Sequence, residues 1–128
     1  MSGLLLDTHT YLWWVLDDPR LSPELVARVR EAGTVYVSAA SAWEIRTKYR
    51  LGKLPEAGGL ASDLAGYVRQ DGFSELPVTF ADGDRAGAFA QEHKDPFDRM
   101  LAAQALNHGL ALVSNDAALD AFGVVRVW

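Results

Sequence analysis

The spacing of apolar residues changes period several times along the chain. Leu4-Leu5-Leu6 is a continuous apolar run, which suits a strand covered on both faces, as in the middle of a parallel sheet. Asp7 and Thr8 interrupt it, and Tyr11, Leu12, Val15 and Leu16 resume with helical spacing. The pattern therefore predicts a buried strand that delivers a carboxylate to its C-terminal tip, where a helix begins. After the break at Asp17-Asp18-Pro19, Ser22-Pro23-Glu24 reads as an N-cap, a first-turn proline and an acid, opening a second helix to about Ala32. Thr34 to Val37 is a β-branched and aromatic strand ending at Ser38. Ser38 to Lys53 reads as a third helix, with Ala42, Ile45 and Tyr49 at helical spacing and a basic second half.

Leu54 to Gly59 is an ordinary six-residue connection, so no domain boundary is expected there, and residues 1–128 read as one domain. A fourth helix is predicted over Leu60 to Gln70, and a weak strand over Phe73 to Val78, whose Pro77 points to a sheet edge. A fifth helix spans Thr79 to Glu92. Asp95-Pro96 opens a sixth, Phe97 to His108, closed by Gly109; Leu110 to Val113 and Val124 to Trp128 are the last strands. Strands alternating with helices through short connections predict a three-layer α/β/α sandwich on a five-stranded, mainly parallel sheet.

The balance of charges narrows the function. A net charge of −5 over 128 residues argues against a plain basic nucleic-acid-binding module. With no cysteine there is no disulfide and no thiolate metal site, which fits a reducing cytoplasm. No apolar stretch approaches the roughly 18 residues of a membrane span. Any metal must be held by oxygen or imidazole.

Four acids fall where strands end and helices begin: Asp7 after the first strand, Glu44 in the opening turns of the third helix, Asp98 at the head of the Phe97 helix, and Asp116 after the Leu110 strand. In parallel sheets that rim is the ligand-binding edge. Each acid also has a structural reading. Ser41-Ala42-Trp43-Glu44 matches a capping box, Asp95-Pro96-Phe97-Asp98 a capped helix start, and Ser114-Asn115-Asp116 the start of a short helix. Thr79 to Asp82 shows the same capping pattern and is read as that alone. The combination is different, because four carboxylates on one rim repel one another unless a cation lies among them. Magnesium and manganese are the hard, oxygen-seeking ions that suit such a set, and these four acids would account for most of the net charge.

Leu5 to Thr10, Val37 to Ile45, Asp95 to Gln104 and Leu112 to Asp116 resemble, in order, the sequence blocks of PIN-domain ribonucleases, and within them the VapC-type toxins of bacterial type II toxin–antitoxin systems. The resemblance implies a magnesium- or manganese-dependent endoribonuclease with one or two ions, a homodimer, and restraint by a cognate antitoxin. It assigns the metal and catalytic roles to Asp7, Glu44, Asp98 and the less uniform Asp116; the additional Asp95 reads as the helix cap, with a place in the site as the alternative.

Around these acids, Thr8, Ser114 and Asn115 are candidates to orient the carboxylates. Arg46, Lys48 and Arg50 are candidates for RNA phosphates, with a solvated helix face as the alternative. His9, His93 and His108 have no ligand spacing. The tryptophans read as core, except that adjacent Trp13 and Trp14 cannot share one core face, so one of them is expected to meet a partner. Two rival functions compete with the nuclease reading. A phospho-accepting signalling domain needs a lysine at the end of the last strand and an acid pair after the first, and has neither here. A non-enzymatic module of the same fold is opposed by the presence of all four acids.

Overall fold

The computed structural model describes residues 3–128. Its first half comprises β1 (Leu4–Leu6), α1 (Thr8–Val15), α2 (Pro23–Glu31), β2 (Val35–Ser38) and α3 (Ala39–Arg50). A 3-10 turn at Pro55–Ala57 leads into α4 (Gly58–Ser62), α5 (Leu64–Gln70), β3 (Ser74–Leu76) and α6 (Phe80–Ala88). Then come α7 (Pro96–His108), β4 (Ala111–Val113), a second 3-10 turn at Ala117–Phe122, and β5 (Arg126–Val127). The five strands lie in the order β3-β2-β1-β4-β5, and every pair is parallel.

The all-leucine run is the central strand, as its lack of alternation predicts. Leu4 and Leu6 turn to one face, where they meet Tyr11, Leu25, Val29 and Ile45, while Leu5 turns to the other, against Leu101, Leu112 and Leu119. Leu5 and Leu6 are wholly inaccessible, so each contributes about 1.5–3 kcal/mol of burial. Pro77 lies just beyond β3, and β3 is indeed an edge.

Two predicted helices are shorter than the apolar spacing suggests. The Leu60 to Gln70 segment breaks at Asp63, whose backbone leaves the helical region and whose carboxylate caps α5 by accepting from the Gly66 N–H at 3.1 Å. The Thr79 to Glu92 segment is helical only to Ala88, although its capping box of Thr79 and Asp82 is fully formed. The segment beyond it is tied down by Arg99, which donates from Nε to Ala86 O (2.9 Å), from Nη2 to Phe89 O (2.7 Å), and from Nη1 to Gln91 O (2.7 Å) and His93 O (3.0 Å). One side chain thus satisfies carbonyls that would otherwise need further helix. Among the described residues no helix is long and apolar enough to cross a membrane.

Candidate active site

Register brings the strand ends together. Leu6 pairs with Val37 and with Val113, so Asp7, Ser38 and Ser114 leave the sheet side by side, and the Asp7 N–H donates to Val113 O at 3.1 Å. α7 runs back toward the start of β4, which brings its own N-terminus to the same rim.

Asp7 is buried, and it caps α1: one carboxylate oxygen accepts from the Thr10 N–H at 2.8 Å. Thr10 also donates its hydroxyl to Val113 O at 3.0 Å, locking the β1–α1 junction onto β4. Thr8, expected to orient an acid, instead shares a 2.9 Å hydrogen bond with the Ser41 hydroxyl. That contact corrects the reading of Ser41 as a cap. The cap of α3 is Ser38, because β2 ends there, and Ser41 lies inside the helix, joining α3 to α1. Ser38 in turn donates to Gln104 Oε1 at 2.5 Å, and Gln104 donates to Pro77 O at 3.2 Å. A buried polar chain therefore fastens α7 to the ends of β2 and β3.

Glu44 is 3% exposed, and its Oε2 accepts from the Lys48 ammonium one turn along α3. Asp98 lies in the first turn of α7. Asp95, as expected, is the cap there, its Oδ1 accepting from the N–H groups of Phe97 (2.9 Å) and Asp98 (3.2 Å). The Asp98 carboxylate is left for other work, and its Oδ2 lies 2.9 Å from His93 Nε2. Burial pushes the Asp98 carboxyl above its ordinary range; the His93 contact opposes this, while the charges of Asp95 and Glu44 add to it. Asp98 thus feels both neighbouring acids. Asp116 stands apart, exposed, capping the 3-10 turn through Ala118 N–H at 3.0 Å and adding its field to that of Asp120 on Arg126. Ser114 accepts from Asp116 N–H at 3.1 Å rather than holding a carboxylate, and Asn115 is exposed.

The basic residues of α3 are only partly free. Arg46 donates to Ala61 O and Lys48 is engaged by Glu44, whereas Arg50 is exposed. The tryptophans fall into two groups. Trp13 is buried beneath Arg20 and Trp128, and Trp14 is half-buried against Phe73 and Arg30. Trp128 and Trp43, both read as core, are instead 45% and 65% exposed, and Trp43 packs edge-on against Phe97 with centroids 5.0 Å apart. The two rings border an apolar cavity of about 390 Å³ with Val78, Ala86 and Met100, each ring one residue before an acid.

Glu44 and Asp98 are close enough for their charges to interact, and Asp7 ends β1 at the same rim. Among the described residues no three acidic or histidine side chains form a group that could hold a metal ion. That is compatible with ions such as magnesium, which keep several waters and bind through one or two protein carboxylates.

With this architecture the chain belongs to the PIN domain family, which is matched over residues 4–125. More particularly, it is 30% identical to ribonuclease VapC22 of Mycobacterium tuberculosis over 122 residues, covering 93% of this chain and 91% of that protein. A 68-residue stretch is 41% identical to ribonuclease VapC16 of the same organism, covering 49% of this chain and 48% of that one. Among solved structures, the fold is similar to VapBC2 from Rickettsia felis bound to a promoter DNA fragment, with TM-score 0.74, 14% identity and 98% of each chain covered. DNA-bound VapBC from Salmonella typhimurium gives TM-score 0.68 at 18% identity, covering 99% of this chain and 98% of that one.

Proposed function

We propose that the chain is a divalent-metal-dependent endoribonuclease acting in the cytoplasm as the toxin of a type II toxin–antitoxin pair. The observation that carries the reading is the approach of buried Glu44 to Asp98 from a separate helix, at the strand-end rim where buried Asp7 follows β1, with the Asp98 carboxyl pushed up by burial and by neighbouring negative charge. Nothing in the stability of the fold calls for that arrangement, since Ser38 and Asp95 already cap the helices that carry Glu44 and Asp98. The two relatives at 30% and 41% identity, both VapC ribonucleases, support the same activity.

In this reading Asp7 and Asp98 would hold a magnesium or manganese ion, with Glu44 close by and Asp116 at the margin, and the chemistry supplied there would be charge neutralisation at the scissile phosphate and a water of lowered pKa. The chain's own contribution is orientation. Thr10 fixes one Asp7 oxygen, leaving the carboxylate a single presentation, and His93 does the same for Asp98. Arg99 holds the segment that carries His93. An exposed Arg50 is left for the RNA backbone, and the groove beside Trp43 is a further apolar surface, next to the acids, that an antitoxin or second protomer would meet. The direct test is incubation of the purified chain with end-labelled single-stranded RNA. Cleavage is expected with manganese or magnesium and is expected to stop with EDTA; products that form equally well in EDTA would exclude the reading.

A further inference from the structure

The Glu44–Lys48 pair is unlike an ordinary helix-surface ion pair. An exposed Glu and Lys four residues apart contribute little to stability and are screened by salt. Here the glutamate side chain is only 4% exposed, while the lysine is 31% exposed. The carboxylate is thus taken out of water and needs a cation, and the lysine reaches in from the surface to provide it. Glu44 also faces Asp98 closely enough for its charge to act on that carboxyl. Lys48 therefore supplies the positive charge at Glu44, which itself lies beside Asp98.

We propose that Lys48 is a tethered cation that competes with the metal ion for Glu44, and so sets how tightly the site takes up metal. The inference rests on the metal-dependent reading of the acid rim. The lysine stem is partly in solvent, so its ammonium can swing outward without disturbing the core, whereas Glu44 is fixed within packed α3. Glu44 joins the ion only when Lys48 has left it. Lys48 is in this sense a positioning residue, acting on the ion through Glu44.

The test is calorimetric titration of MnCl2 into RNA-free protein, paired with thermal melts in EDTA and in manganese. Lys48→Met leaves Glu44 buried and unpaired, so its melting temperature should fall in EDTA and recover with manganese, and its manganese affinity should rise by about tenfold. Lys48→Arg, which retains the charge, should behave like the wild type. The double variant Glu44→Gln/Lys48→Met removes both charges and should regain stability in EDTA without the gain in affinity; it also keeps the comparison available should Lys48→Met fold poorly. Manganese affinities within about twofold of one another in wild type and Lys48→Met would overturn the proposal and leave the pair a structural contact. Absence of manganese binding to both proteins would sink the metal reading itself along with the competition.

Discussion

Asp98→Asn should lose RNA cleavage by about 100-fold or more, because a ligand charge worth several kcal/mol in the transition state disappears while the shape is kept. The same loss is expected for Asp7→Asn. Both changes separate the two meanings of these acids. Asparagine caps helices about as well as aspartate, so the substituted amide at the head of α1 can still accept from the Thr10 N–H; the cap of α7 is Asp95, so Asp98 is not needed for it. Folding should therefore survive where activity does not.

Stability adds an independent readout for Asp98. Its folded carboxyl titrates above the ordinary value of 3.8, chiefly through burial. The folded state then binds more protons than the unfolded one between those two values, so wild-type stability should rise as pH falls through that window. At neutral pH the ionised carboxylate costs stability. In metal-free buffer, Asp98→Asn should accordingly melt at the wild-type temperature or higher at about pH 7, and should lack the gain on acidification. A large drop in melting temperature at neutral pH would mean that the carboxylate is there for the helix.

Arg99→Ala should produce the largest loss of stability, about 2–4 kcal/mol, because it orphans carbonyls that share one guanidinium. These carbonyls, at Ala86, Phe89, Gln91 and His93, lie at the end of α6 and on the segment leading into α7. Amide exchange should accelerate in residues 89–95 before it does in the sheet. Since His93 steadies Asp98, cleavage should fall as well. Arg99→Lys should rescue little, since an ammonium cannot reproduce the planar fork. Unchanged exchange in residues 89–95 would show that the segment is held by something else.

The features most legible in the sequence are those decided by neighbours along the chain. The unbroken Leu4–Leu6 run marks the central strand, Pro77 the edge, Gly109 the end of α7, and Asp95-Pro96 its start. Asp7 and Glu44 can be placed on one rim because parallel strands send each following helix off from the same edge, and Asp98 because α7 runs back to the start of β4. What cannot be read depends on contacts distant in sequence. Ser38 and Ser41 are both plausible caps, and only the length of β2 and the partner Thr8 decide between them. Trp43 has the same composition signal as the buried Trp13, yet α3 turns it outward beside Phe97. His93 shows no ligand spacing because its meeting with Asp98 is arranged by the loop that Arg99 folds. The pairing of Lys48 with Glu44 is within reach, since an i, i+4 glutamate and lysine signal it, but its burial is not.

A crystal soaked in manganese would show whether this rim holds a divalent ion through Asp7 and Asp98. An anomalous peak is expected at about 2.1 Å from a carboxylate oxygen of each, with the coordination completed largely by water. Manganese bound elsewhere, or no peak on the rim at saturating concentration, would contradict the metal-dependent reading.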